Sequence, residues 1–494
     1  MSSYGKKRDS PVPEAAVRNG SKKRIYNLRQ SKNTDNNIRD VSTQQFMGEN
    51  MKTCIDETII PKNTDIPVVG EAKINNPIDF GRFVSEDDAV LVNISKRNVQ
   101  KCGKSRKDPK HIYFEPAGPR SKVYYDTSKT KVAVVTCGGL CPGLNDVIRA
   151  VVMTAYHQYK VPSVLGIQYG LSGFIPKYGY DVIELTPDYV SRIHEFGGTI
   201  LGSSRGPQDP EDIVDALERM NISILFMIGG DGTMRAASKV VAEITKRGLS
   251  ISVVGLPKTI DNDINFASPS FGFDTAVETA TTAIRGAHVE ATGAPWGIGM
   301  VKVMGRHAGY IAAQSALSCQ EVNFVLIPED PFDIEGENGF LAALECRMRK
   351  SGNAVIVLAE GAGQDLVGES DRTDASGNVC LSDIAQLLRT SIMEHFKGKD
   401  ITPTLKYIDP SYIIRSVPAN ANDRIYCSFL GINAVHAGMS GRTGLVISRW
   451  NGRYVHIPMD LVTKGKKRIN VCSNYWRAVL ESTGQPSSML NEDG

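Results

Sequence analysis

Short apolar segments alternating with amphipathic helical ones predict an α/β protein built on parallel sheets covered on both faces. Two further observations support this class. The apolar segments have strand length and are apolar throughout, as strands buried on both faces must be. Glycine-rich or acid-bearing turns follow them, where such sheets bind ligands beyond the carboxyl ends of their strands. At 494 residues the chain is long enough for two or three domains.

Residues 1 to about 85 are rich in Lys, Arg, Asn, Ser and Asp and lack a sustained apolar period, so they are expected to be a largely disordered extension. From Lys131 the pattern becomes regular. Val132 to Thr136 reads as a buried strand, and a helix is expected from near Leu144, with Pro142 close to its start. Val164–Ile167, Ile224–Ile228, Ile251–Leu256, Ile298–Val303, Phe324–Ile327 and Ala354–Leu358 are further strands. Between them Met234–Arg247, Asp274–Glu290, Tyr310–Ser318 and Gly339–Lys350 read as helices.

The composition is that of an ordinary globular chain, 41% hydrophobic and 22% charged. A net charge of +3 argues for neither nucleic-acid nor membrane partners. No apolar run reaches spanning length, and the first residues lack a secretory h-region. Nine scattered cysteines suggest free thiols in a reducing compartment. Cys137 and Cys141 have near-zinc spacing, but no second pair completes a site. Gly103-Lys104-Ser105 imitates the end of a Walker loop, yet Asn98 stands where its first glycine is required.

The chemistry lies in the turns. Gly229-Gly-Asp-Gly-Thr233 joins a strand to a helix and embeds one acid. Its glycines let a phosphate chain approach the backbone, and an acid beside phosphates calls for a cation between them, so Asp231 is a Mg²⁺ candidate. The alternative is a helix-capping aspartate. Thr136 to Gly143 and Gly202-Ser-Ser-Arg-Gly206 are read as strand-to-helix turns presenting N–H groups, with Arg205 for a phosphate oxygen. In Thr259-Ile-Asp-Asn-Asp263 an extended backbone would point both acids the same way, one to take a hydroxyl proton and one to orient it or assist with the metal; the alternative is an Asx-rich turn. Lys258 adds positive charge there. Met304-Gly-Arg306, Glu360 and Tyr412-Ile-Ile-Arg415 offer guanidiniums and a hydroxyl acceptor at strand ends. His307 is given no catalytic role.

These motifs carry a resemblance. From about residue 112 onward the chain resembles 6-phosphofructokinase, through seven motifs in order: Cys137 to Gly143, Gly197 to Gly206, Gly229 to Thr233, Pro257 to Asp263, Met304 to Arg306, Ala359 to Gly361 and Tyr407 to Tyr412. Ala117-Gly-Pro-Arg120 and Thr483-Gly-Gln-Pro486 look most like the plant ATP-dependent enzymes. The resemblance implies two doubly wound, Rossmann-like domains with the active site in the cleft between them. A nucleotide-binding domain at 86–272, completed by about 423–465, would face a sugar-phosphate domain at 273–422, with 466–494 as a C-terminal segment.

It also implies residue roles. Gly138, Arg205, Gly206, Gly230, Asp231, Gly232 and Thr233 would bind ATP as co-substrate, with Asp231 holding Mg²⁺. Asp261 would be the base on the 1-hydroxyl of fructose 6-phosphate, with Lys258 and Arg306 stabilising the transferred phosphoryl. Thr259, Ile260, Asp261, Asp263, Met304, Gly305, Arg306, Glu360, Tyr412, Ile413, Ile414 and Arg415 would bind the sugar phosphate. Lys258 resembles the branch that includes pyrophosphate users, but these carry a second Asp where this chain has Gly232. An acid there would crowd and repel the nucleotide's α-phosphate, so ATP is the expected donor. The alternatives are a pyrophosphate-dependent enzyme or a non-catalytic subunit of the same fold. The His and Arg that the bacterial enzymes use for the 6-phosphate have no match in Ser416–Asn422 or at Trp296-Gly297. A homo-oligomer, dimer or tetramer, is expected, with helix Asp274–Glu290 as one candidate contact. The expected compartment is the cytoplasm, or alternatively a plastid.

Overall fold

The computed structural model describes residues 61, 63–94, 112–368 and 381–491. Residues 56–494 belong to one compact unit. The expected disordered extension lies outside the described residues as far as residue 60. Its remainder departs from that expectation: Val69 N–H donates to Gly441 O at 2.8 Å, and Ile78 is buried.

The chain forms two main sheets. The larger takes β2 (Val90–Leu91), β3 (Tyr113–Pro116), β5 (Lys131–Thr136), β6 (Ser163–Ile167), β7 (Val182–Glu184), β8 (Ile224–Gly229), β9 (Ser252–Pro257), β14 (Leu445–Trp450) and β15 (Arg453–Pro458). Their order is β2-β3-β15-β14-β9-β8-β5-β6-β7. The stretch from β14 to β6 is parallel, whereas β7 at one edge and β15, β3 and β2 at the other pair antiparallel. The smaller sheet has β11 (Phe324–Leu326), β12 (Asn353–Ala359), β10 (Gly297–Val303) and β13 (Thr404–Ile408) in that order, all parallel. A two-stranded ribbon, β1 (Ile74–Asn75) with β4 (Lys122–Val123), completes the strands among the described residues.

The helices that cover the sheets and position the site are α1 (Leu144–Tyr159), α2 (Pro210–Arg219), α3 (Asp231–Lys246), α4 (Phe273–Thr292), α5 (Tyr310–Cys319), α6 (Phe340–Ser351), α7 (Ile384–His395), α8 (Ser411–Ser416), α9 (Ala421–Met439) and α10 (Asn474–Thr483). Side chains alternate across each strand. Val132, Val134, Phe226 and Val254 therefore point to one core, and Ala133, Val135, Leu225 and Val253 to another. Val301, Val303, Val355 and Val357 of the smaller sheet join the first core, while Met300, Ile356 and Leu358 face a third. One continuous apolar core thus holds both sheets, with the carboxyl ends of their strands carrying the motifs. Cys472 alone among the described cysteines is disulfide-bonded, so the expectation of free thiols fails there and holds for Cys137, Cys141, Cys319, Cys346 and Cys427.

Candidate active site

The turns expected to bind the donor start where β8 and β5 end. Gly230, extended, holds the capping position of α3, and no side chain caps that helix, so its N-terminal N–H groups are left for a ligand. Asp231 is the first helical residue rather than the cap, which removes the capping alternative. A Cβ on Gly232 would meet nothing within 4 Å. Thr233 is buried against Gly229. The other two glycine turns are clipped together: Gly138 N–H donates to Ser204 O at 3.1 Å, and Ser203 Oγ to Gly138 O at 2.6 Å. Gly138 and Gly206 both have positive φ, which glycine adopts without strain. Gly202–Gly206 precedes α2 but follows irregular chain, not a strand, so the strand-to-helix reading fails for it.

The acceptor loop leaves β9. Lys258 N–H bonds Gly229 O at 2.9 Å, holding donor and acceptor loops side by side. The Lys258 ammonium is buried near Gly138, where an added Cβ would lie 3.8 Å from Nζ. Burial lowers its pKa, partly opposed by Asp261. The loop is not extended as expected. Asn262 is left-handed at φ 55°, because Ser270 N–H binds Asn262 Oδ1 and Ser270 Oγ binds Thr259 O. The two acids therefore have different surroundings. Thr259 Oγ1 donates to Asp263 Oδ1 at 2.9 Å, whereas Asp261 Oδ1 is buried without a hydrogen-bond partner. Burial pushes the Asp261 pKa up, and Asp263 and Glu360 push the same way, against Lys466 and Lys258. Ile260 is buried in the core, so its side chain anchors the loop.

Sequence reasoning missed Lys466. Its Nζ lies 2.5 Å from Asp231 Oδ2 and 2.6 Å from Asp263 Oδ2, tying the donor acid to the acceptor acid. The only signal was the basic run Lys464-Gly-Lys-Lys-Arg468, far along the chain. Asp231 Oδ1 is buried and has no partner. That orphaned oxygen suits a hard cation. No group of three or more His, Cys, Asp or Glu among the described residues could cage a metal. A magnesium ion would therefore take Asp231 together with phosphate and water oxygens, the usual arrangement for a nucleotide-borne metal.

The residues expected to bind the sugar phosphate stand mostly on the smaller sheet. Gly305 at φ 134° turns the chain after β10, and Gly361 N–H donates to Gly305 O at 3.2 Å. A Cβ at Gly361 would strike the Arg306 carbonyl at 2.0 Å, so glycine is required there. Glu360 follows β12; burial raises its pKa, and Arg306 and Lys302 pull it down. Glu329 accepts the N–H of Gly309, the capping residue of α5, while no side chain caps the helix itself, so this motif offers an anion the Arg306 guanidinium and the N–H groups of the first turn. Half-buried His307 has its pKa lowered by burial and then by Lys466.

On α8, Ile414 is fully buried, while Tyr412 and Ile413 are exposed at 76% and 61%. The Arg415 guanidinium packs 4.7 Å from the Tyr412 ring centroid. Arg415 also reaches the donor loop: a pocket of about 270 Å³ is lined by Gly138, Gly139, Leu140, Ser203, Ser204, Arg205 and Arg415. The structure thus brings the Gly138, Arg205, Asp231, Lys258, Asp261, Asp263 and Arg415 groups to one region. It sets Ile260 and Ile414 into the core.

The phosphofructokinase family model matches residues 131–438. An ATP-dependent 6-phosphofructokinase of Borreliella burgdorferi is 50% identical over 445 residues, covering 87% of this chain and 99% of its own. The ATP-dependent 6-phosphofructokinase 7 of Arabidopsis thaliana is 47% identical, covering 83% of each chain. A solved pyrophosphate-dependent phosphofructokinase from Marinobacter aquaeolei superposes with TM-score 0.59 over 74% of this chain and 94% of its own, at 22% identity, which speaks to the fold.

Proposed function

The chain belongs to the phosphofructokinase family, and we propose that the cleft around Asp231, Lys466 and Asp261 is where it moves the phosphoryl group. The reaction is transfer of the γ-phosphoryl of ATP to the 1-hydroxyl of fructose 6-phosphate, giving fructose 1,6-bisphosphate, with Mg²⁺ as cofactor. The single observation that carries the site assignment is a pair of buried carboxylate oxygens without partners, Asp231 Oδ1 and Asp261 Oδ1, on loops joined by Lys466.

The free N–H groups of α3 and the clipped turns at Gly138 and Arg205–Gly206 receive the phosphate chain. Asp231 holds the metal, which when bound neutralises charge on the phosphoryl oxygens. Asp261 accepts the proton of the sugar 1-hydroxyl; its environment favours the protonated form, which makes it a better base once ionised. Lys258 and Arg306 place positive charge where the moving phosphoryl oxygens lie. Glu360 and Asp263, steadied by Thr259, accept sugar hydroxyls, and Arg415 bridges the sugar side to the donor loop. Gly232 leaves the room an α-phosphate needs.

A donor assay tests this reading: turnover with pyrophosphate but not ATP would favour the pyrophosphate-dependent alternative, and none with either would favour a non-catalytic subunit. The subunits are proposed to form a homo-oligomer. Apolar side chains that such a contact could cover are exposed on α4, at Val289, and on α8 and α9, at Tyr412, Ile413, Ile425 and Phe429; sedimentation velocity decides. No helix among the described residues is long and apolar enough to cross a membrane. The free Cys137, Cys141, Cys319, Cys346 and Cys427 support a reducing compartment, taken to be the cytosol, and the bonded Cys472 speaks against it; imaging of a fluorescent fusion distinguishes cytosol from plastid.

A further inference from the structure

Lys466 belongs to no motif, yet it is held as firmly as the motif residues. Lys467 N–H donates to Asp263 O at 2.9 Å, and Lys467 Nζ bonds Asn262 Oδ1 and Ala267 O at 2.8 and 2.9 Å. Two residues further on, Ile469 N–H donates to Glu329. The segment is therefore stitched to the acceptor loop, and Lys466 reaches from it across to the donor acid. Both of its carboxylate partners are nearly buried, at 8% and 7% side-chain exposure, while Lys466 is a third exposed. A surface ion pair would contribute little. One ammonium shared by two buried acids from two loops is different, because each acid without it would be an uncompensated buried charge.

We propose that Lys466 is a positioning residue that holds the metal's place at Asp231, docking the acceptor loop on α3 and yielding Asp231 Oδ2 when the metal nucleotide arrives while keeping Asp263. This rests on the assignment of the metal to Asp231. The ammonium on Oδ2 neutralises Asp231 at contact distance, so a bare divalent cation at the partnerless Oδ1 meets a carboxylate already compensated and must displace the ammonium with only one carboxylate as reward. The nucleotide's phosphates supply the further oxygens and charge that tip the exchange. Metal and nucleotide consequently load together, and the two loops remain bridged through Asp263 during the exchange.

The test uses the full chain without nucleotide, with Mn²⁺ alone as probe and its free signal read by electron paramagnetic resonance. Lys466→Met should bind Mn²⁺ about tenfold tighter than the unaltered protein. Lys466→Arg should bind like the unaltered protein, and the gain should vanish in Lys466→Met/Asp231→Asn. In steady state, Lys466→Met should raise KM for fructose 6-phosphate through the loosened Asp263, with KM restored in Lys466→Arg. Equal Mn²⁺ affinity with and without Lys466, or a gain that survives Asp231→Asn, overturns the proposal. Where Lys466→Met does not fold, Lys466→Gln, which keeps N–H donors for both acids but no charge, is read by the same criteria. Asp231→Asn alone separates the two levels. If it leaves the Mg²⁺ dependence of turnover unchanged, the metal assignment itself falls; if it is crippling while Mn²⁺ affinity ignores Lys466, only the role of Lys466 falls.

Discussion

Glu329 accepts the backbone N–H of Gly309, the capping residue of α5, with both carboxylate oxygens, at 3.2 and 3.0 Å. The same carboxylate accepts Ile469 N–H at 2.9 Å, three residues beyond Lys466. One side chain thus ties the start of α5 to the segment that bridges the two loops. Glu329→Ala should destabilise the protein by about 2 kcal/mol, since it strips two backbone donors of their acceptor. It should also raise KM for fructose 6-phosphate. Denaturant titration and initial rates check both, and a variant as stable as the parent would show that water replaces the carboxylate.

Gly232 is a position where the protein has room for a side chain and, on the proposed reading, the nucleotide would refuse one. A Cβ there meets nothing within 4 Å, and φ is ordinary, so neither packing nor backbone strain requires glycine. Gly232→Asp should therefore fold normally; an acid in the first turn of α3 even complements the helix dipole by about 0.5 kcal/mol. It should lower kcat/KM for ATP by about a hundredfold through repulsion of the α-phosphate. Activity with pyrophosphate should fall far less. Equal loss with both donors would mean that position 232 disturbs the metal at Asp231 rather than selecting the donor.

The sequence made the centre of each sheet legible, because strands buried on both faces leave continuous apolar runs such as Ile224–Gly229 and Asn353–Ala359. It made the edges less so. β14 and β15 form a hairpin around Asn451 and Gly452, both at positive φ. Trp450-Asn-Gly-Arg453 carried the usual signal for such a turn, but an expectation of purely parallel sheets left it unread. The order of residues 63–85 was illegible, since their polar composition hides the contacts with Gly441 and the core. In the site, motif residues were found because glycine turns and paired acids are local patterns. Lys466 was not, because its meaning depends on Asp231 and Asp263, more than two hundred residues away.

Away from the cleft, Glu115 holds two nearly buried guanidiniums, Arg120 at 2.6 Å and Arg442 at 2.5 Å, with the His456 ring 3.6 Å away. Burial opposes ionisation of Glu115, but His456, Arg442 and Arg120 together outweigh it and bring the pKa down to about 2. Glu115→Gln should cost about 3 kcal/mol at neutral pH, because it leaves two nearly buried guanidiniums sharing only the more exposed Glu86, 2.9 Å from Arg442 and 3.9 Å from Arg120. A depressed acid contributes stability that is present above its unfolded pKa of 4.5 and is lost as pH falls through about 2. The gap between parent and variant should therefore hold from pH 7 to about 4.5 and close towards pH 2. A gap that does not change with pH would mean that the loss comes from packing alone.

Asp261 shows the opposite sign. Burial, Asp263 and Glu360 raise its pKa, and its Oδ1 has no partner, so the ionised form needed for catalysis is the one the fold disfavours. Activity must then rise with pH as Asp261 ionises, and the acid limb of kcat/KM should lie well above the ordinary aspartate range near pH 4. The stability linkage runs the other way. A raised acid contributes stability that is fully present below its unfolded pKa and is lost as pH rises through the folded one. Asp261→Asn removes that charge, so it should lower kcat on the order of a thousandfold while raising Tm, by more at pH 8 than at pH 5. The residual rate should lack the acid limb. A variant that loses activity together with stability would make Asp261 a structural acid, and one that keeps near-normal turnover would move the base elsewhere in the cleft.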